Sequence, residues 1–143
     1  MNHFLFYETV EHKLKELLRT DRFRRPSVNH IITKKYPFPP SQYGVLPHES
    51  IFTVKAVEVP LTIHGLTVKV GEEVEFKFSA DYTTTFTSYP FEIRENLALT
   101  LSVPKSKLEG RLLLPVDKVD MYTEYAAEGV ASDMLRLLKH PYS

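Results

Sequence analysis

From Ile51 to Val116 the apolar residues fall on alternate positions, and this period of two constrains the fold more than any other feature of the chain. Phe52/Val54/Ala56, Leu61/Ile63, Leu66/Val68/Val70, Val74/Phe76/Phe78 and Leu97/Leu99/Leu101/Val103 each place one side of an extended segment in a core. His64-Gly65 and Gly71-Glu72 stand where hairpin turns are wanted, and Pro60, Pro90, Pro104 and Pro115 bound the runs. Tyr82 to Tyr89 is a further strand, with Thr83, Thr85 and Thr87 on one face and Tyr82, Thr84 and Phe86 on the other. Several short strands joined by close turns predict a mostly antiparallel sheet that curls into a small barrel or half-sandwich.

Outside that stretch the period changes. Val10, Leu14, Leu17 and Leu18 recur at helical spacing, predicting an amphipathic helix over 8–20. Ser27 suits the N-cap of a second short helix, Val28 to about Tyr36, which Pro37 would end. The segment 37–50 is proline-rich and aromatic and reads as an extended strap. Asp120 is placed to cap a final helix running to about Lys139, with Tyr122, Ala126, Val130, Met134 and Leu137/Leu138 as its apolar stripe. The expectation is an α+β chain forming one domain over 1–143. It comprises a helical basic segment (1–36), a strap (37–50), a sheet (51–116) and a C-terminal helix (117–143).

At 143 residues, 43% of them hydrophobic, the chain can build an ordinary core without covalent staples. It has no cysteine, which rules out disulfides, thiolate metal sites, iron–sulfur clusters and a cysteine nucleophile. No apolar run approaches the ~20 residues of a membrane span, and the first residues lack a basic leader, so a cytoplasmic location is expected. The 18 basic and 18 acidic residues cancel. Residues 1–36 nevertheless carry eight Lys/Arg against four Asp/Glu, so an electrostatic docking surface is expected near the N-terminus.

Catalytic motifs are missing. The five glycines are scattered, so no phosphate-cradling loop is present, and neither a Gly-x-Ser-x-Gly elbow nor a His-Glu-x-x-His helix occurs. Glu8, His12 and Glu16 share a helix face and are the best metal candidate, but a solvated charged stripe accounts for them and no metal or cofactor is expected. Asp117 and Asp120 could hold Mg²⁺, although capping explains Asp120 better. The six histidines show no ligand spacing.

The sharper feature is the basic cluster Arg19, Arg22, Arg24, Arg25, Lys34 and Lys35, interleaved with Phe23 and Tyr36. Two helices with a basic turn between them would set the arginines against phosphates, but the connection is longer than the tight turn of a helix-turn-helix. An acidic protein surface or water alone would satisfy the same charges. Pro37-x-x-Pro40 matches the minimal ligand pattern of aromatic-grooved domains, a weak signal. Tyr82, Phe86, Tyr89 and Phe91 read first as core and sheet packing, with base stacking on a barrel face as the functional alternative. Met121 and Leu135 lie beside the final helix's stripe and offer either an exposed docking face or a second buried side.

The function expected from these residues is a small non-enzymatic regulatory adaptor that binds a larger protein complex. Arg22, Phe23, Arg24, Arg25, Met121 and Leu135 would be its contacts. A viral or phage accessory protein acting on host transcription machinery (RNA polymerase) fits that description. The alternative is a nucleic-acid-binding barrel using Arg19, Arg24, Arg25, Lys34 and Lys35. A metal-dependent enzyme with dispersed carboxylates comes third.

Overall fold

A computed structural model describes residues 3–19, 30–36, 48–63 and 65–140. Helix α1 (His3–Arg19) starts one turn earlier than its periodicity suggests, because Phe6 extends the stripe Val10–Leu14–Leu18 at the same four-residue spacing. A five-stranded antiparallel sheet follows in the order β1-β2-β5-β6-β7. Its strands are β1 (His30–Tyr36), β2 (His48–Ala56), β5 (Glu73–Ser88), β6 (Phe91–Val103) and β7 (Leu108–Pro115). Between β2 and β5 the hairpin β3 (Leu61–Ile63) and β4 (Leu66–Val68) turns at Gly65, whose φ of +83° is the left-handed backbone that glycine adopts without strain. A single turn α2 (Val116–Val119) and helix α3 (Glu124–Arg136) complete the chain.

Among the described residues the helical cover lies on one face of the sheet. Phe52, Val54, Phe76, Phe78, Leu97, Leu99 and Leu101 are buried together with Phe6, Val10 and Leu14 of α1 and Val130, Ala131 and Met134 of α3. Tyr7 fixes the helix to the sheet. Its ring stacks on Phe78 at 4.8 Å, its hydroxyl donates to the Phe78 carbonyl at 3.2 Å, and Ser50 supplies a further hydrogen bond. Gly110 brings α3 close to β7, since a Cβ there would sit 2.8 Å from the Met134 carbonyl oxygen. Beyond α3 the backbone of Lys139 exchanges two hydrogen bonds with Glu109, at 2.8 and 3.1 Å, and so adds to the outer side of β7.

Four expectations are corrected. Among the described residues the sheet is open and not a closed barrel: β1 and β7 are its two ends. The second helix is absent. Val28 and Asn29 lie outside the described residues, and His30–Tyr36 is the strand β1, paired antiparallel with β2 from His30↔Ala56 to Tyr36↔Ile51. Consecutive Ile31, Ile32 and Thr33 are β-branched and suit a strand, and a shift of register between Lys34 and Tyr36 absorbs one residue as a bulge. The sheet therefore begins before 51 and includes β1 and the start of β2. Finally, Asp120 does not cap the last helix. It follows α2, and Thr123 takes the N-cap position of α3 with extended φ and ψ of −94° and 174°. The proline-rich stretch 37–47 lies outside the described residues.

Candidate functional site

Strands β5 and β6 run far past their neighbours. β2 pairs with β5 only from Glu73 to Ala80, and β7 pairs with β6 only from Asn96 to Val103. The β5–β6 ladder continues past β2 through Asp81↔Ala98 to Ser88↔Phe91, with β7 still beside it as far as Asn96. From Thr84 to Glu95 the two strands form a ribbon with no described strand on either side, closed at Tyr89-Pro90. At about 3.3 Å per residue, Asp81–Ser88 reaches roughly 25 Å beyond the end of β2. The Tyr82–Tyr89 strand foreseen in the sequence is thus the outer half of one sixteen-residue strand.

Alternation carries the core pattern into this arm. Val74, Phe76, Phe78 and Ala80 face the helices, so Tyr82, Thr84, Phe86 and Ser88 continue the same face. On β6 the face of Leu97, Leu99 and Leu101 continues outward as Glu95, Ile93 and Phe91. Phe86 stands directly opposite Ile93, and Ser88 opposite Phe91. Among the described residues no helix covers them. Phe86 is 68% exposed, Phe91 71% and Ile93 59%, and Tyr82 and Tyr89 are exposed as well. This overturns the expectation that Tyr82, Phe86, Tyr89 and Phe91 pack in the core. Alternation fixed their face correctly, but the ribbon carries that face past the ends of α1 and α3.

The opposite face is polar. Asn96 donates through Nδ2 to Thr85 Oγ1 at 3.1 Å, and Arg94 Nη2 meets Glu92 Oε2 at 2.8 Å. Asp81, Glu92 and Glu95 against Arg94 leave residues 81–95 with a net charge of −2. Where β7 leaves the sheet at Pro115, the β6 edge and the start of α2 enclose an open groove of about 650 Å³, lined by Glu92–Glu95 and Pro115–Lys118.

The arm is clamped at its root. His3 Nδ1 and the Tyr82 hydroxyl share a hydrogen bond at 2.6 Å, and His3 Nε2 lies 2.9 Å from Asp120 Oδ1. Burial, then the charges of Asp120 and Glu95, push the Tyr82 phenol above its usual range. Tyr82 therefore stays protonated, where a phenolate nucleophile would need the opposite shift. The cluster ties α1, the arm and the α2–α3 corner together. Neither His3 nor this use of Asp120 was foreseen, because their positions in the sequence give no sign of contact.

The residues proposed from sequence are dispersed. Arg22, Phe23, Arg24 and Arg25 lie outside the described residues. Arg19 ends α1 and is exposed, while Lys34 and Lys35 belong to β1 and not to a recognition helix. Met121 is 80% exposed at the α2–α3 corner. Of the two readings of Leu135, the buried one holds: it is 5% exposed, on a helix packed against both α1 and β7, and it offers no exposed contact. His12 Nε2 and Glu16 Oε1 lie 2.9 Å apart on the exposed side of α1, Glu8 is exposed, and no group of three or more potential metal ligands occurs among the described residues. Among those residues no helix is long and apolar enough to cross a membrane.

Comparison with protein-family models, with curated proteins and with solved structures finds no match. The site has to be read from its own chemistry.

Proposed function

We propose that this chain is a non-enzymatic protein-binding adaptor that docks on a larger protein complex through the apolar face of the β5–β6 arm. The observation that carries this reading is that face itself: Tyr82, Phe86, Phe91 and Ile93, aligned on one side of a projecting ribbon and exposed. Aromatic side chains concentrate binding energy, each capable of contributing about 2 kcal/mol or more when buried in a partner's pocket. Leaving such a row in water has no folding benefit. The arm's net charge of −2 specifies the occupant as an apolar groove rimmed by Lys and Arg, and it disfavours a phosphate backbone. Met121, next to Asp120 at the root of the arm, extends the contact in this reading. The basic stretch Arg22 to Arg25 would steer the encounter only toward an acidic surface elsewhere on the partner. A transcription complex such as RNA polymerase remains within the proposal as the target.

The test compares captured proteins from native-host lysate using the parent, Phe86→Ser/Phe91→Ser, and Arg111→Ala as a control on β7. A partner recovered by parent and control, lost with the arm variant, and shown on isolation to have an apolar groove flanked by basic residues supports the reading. Equal recovery by all three moves the docking surface away from the arm. Recovery of nothing by the parent removes the adaptor class.

A further inference from the structure

The outer edge of β6 carries a second feature, independent of the aromatic face. The segment left without a described strand neighbour by the end of β7 is Phe91-Glu92-Ile93-Arg94-Glu95, and it borders the groove whose far wall is Pro115–Lys118. Alternate residues of a two-stranded ribbon point their backbone N–H and C=O groups outward, so this edge can accept another strand. Natural edges are commonly blocked by proline, bulges or charged side chains, lysine above all. This segment holds no proline, lysine or bulge, and its charges are those of Glu92, Arg94 and Glu95.

Its charges are self-complementary. When two copies of the segment pair antiparallel with Ile93 on a two-fold axis, Glu92 of each copy lies opposite Arg94 of the other, and Ile93 lies opposite Ile93. That register uses the whole open segment, with Phe91 opposite Glu95 at each end. Moving the centre to Glu92 sets like charges opposite one another. The outer edge of β5 offers no such match, since Asp81 is the only charge between Asp81 and Ser88. Within one copy Glu92 and Arg94 already pair at 2.8 Å, so two copies would form an alternating square of four charges.

We infer that this chain forms a two-fold dimer by pairing the β6 edges of two arms, residue Ile93 on Ile93, each strand lying in the other's groove. The same register lines up Phe86, Ile93, and the partner's Ile93 and Phe86 in one row across four strands, doubling the apolar face. It also relieves a physical problem. A two-stranded ribbon is marginally stable in water, whereas four strands with a hydrophobic face are not. An interface of this kind is isologous and closes at two copies.

Sedimentation velocity of the full chain over a wide concentration range tests the proposal, with circular dichroism confirming that each variant folds. The parent is expected to dimerise. Ile93→Lys sets two like charges on the axis and is expected to be monomeric. Arg94→Glu makes the square wholly acidic and is expected to weaken the dimer by on the order of tenfold or more. The swap Glu92→Arg/Arg94→Glu is expected to restore it. Because the chain has no cysteine, Ile93→Cys is also expected to give a covalent dimer on mild oxidation, and Ser88→Cys much less. A parent that stays monomeric, single variants that dimerise like the parent, or a swap that stays monomeric each overturns the inference. Partner capture by the Arg94→Glu variant, at a concentration where sedimentation shows it monomeric and with its aromatic face intact, reads the adaptor proposal separately.

Discussion

Tyr7 sits where helix meets sheet, and its chemistry makes the junction sensitive to alkali. Burial pushes its phenol well above the usual range; the bond with Ser50 pulls it back, and Glu11, Glu49 and Glu8 add to the rise. A folded-state value above the unfolded one means the stabilisation is complete below about pH 10 and is lost as pH climbs beyond it. Tyr7→Phe is expected to lower stability by about 1–3 kcal/mol at neutral pH, because it leaves the buried Ser50 hydroxyl short of a partner. The variant should also show a shallower loss of stability above pH 10. Urea denaturation at pH 7 and across the alkaline range measures both effects. Gly110 is a second sensitive position. An alanine Cβ would press on the Met134 oxygen at 2.8 Å and the Leu138 nitrogen at 3.1 Å, both backbone atoms that cannot rotate aside. Gly110→Ala is expected to cost on the order of 2 kcal/mol, read by the same titration.

Among the elements, the arm is separable from the body. Its apolar residues are exposed and only its root is clamped, through Tyr82, His3 and Asp120. Replacing Thr84–Glu95 by Asn-Gly joins Thr83 to Asn96, which are already cross-strand partners, through a favoured two-residue turn. The shortened chain is expected to fold and to melt within a few degrees of the parent, followed by circular dichroism. Much of this layout is visible in the sequence. The alternation of β2, β5 and β6, the turn at His64-Gly65 and the stripe of α1 identify those elements and their inward faces. Two things are not visible. Ile31-Ile32-Thr33 behind Ser27 suits a capped helix as well as a strand, and only the edge of β2, which lies far along the chain, decides for β1. Alternation also reports which side a residue faces but not whether anything covers that side, so Phe86 and Phe91 carry the same signal as Phe76 and Phe78. Leu135 shows the reverse: its burial depends on α1, more than a hundred residues earlier.

For the molecule as a whole, cover is unevenly distributed, and stability should follow it. Phe52, Phe76, Phe78, Leu99 and Leu101 lie under two helices, whereas Thr83–Ser88 and Phe91–Arg94 are held by one ladder. Native-state hydrogen exchange is expected to show two tiers. Amides of Phe76–Ala80 and Leu97–Leu101 should open only with global unfolding, and those of the outer arm by local fraying at much lower cost. Uniform protection along β5 would contradict this division. The tiers meet within single strands, and that continuity has a mechanical consequence. β5 and β6 pass unbroken from the most buried part of the sheet to the tip at Tyr89-Pro90. A pull on the tip is therefore borne along the axes of the two strands, and the ladders to β2 and β7 resist it in shear, many bonds at once. The arm is a lever whose fulcrum is the Tyr82 clamp and whose footing is the core itself.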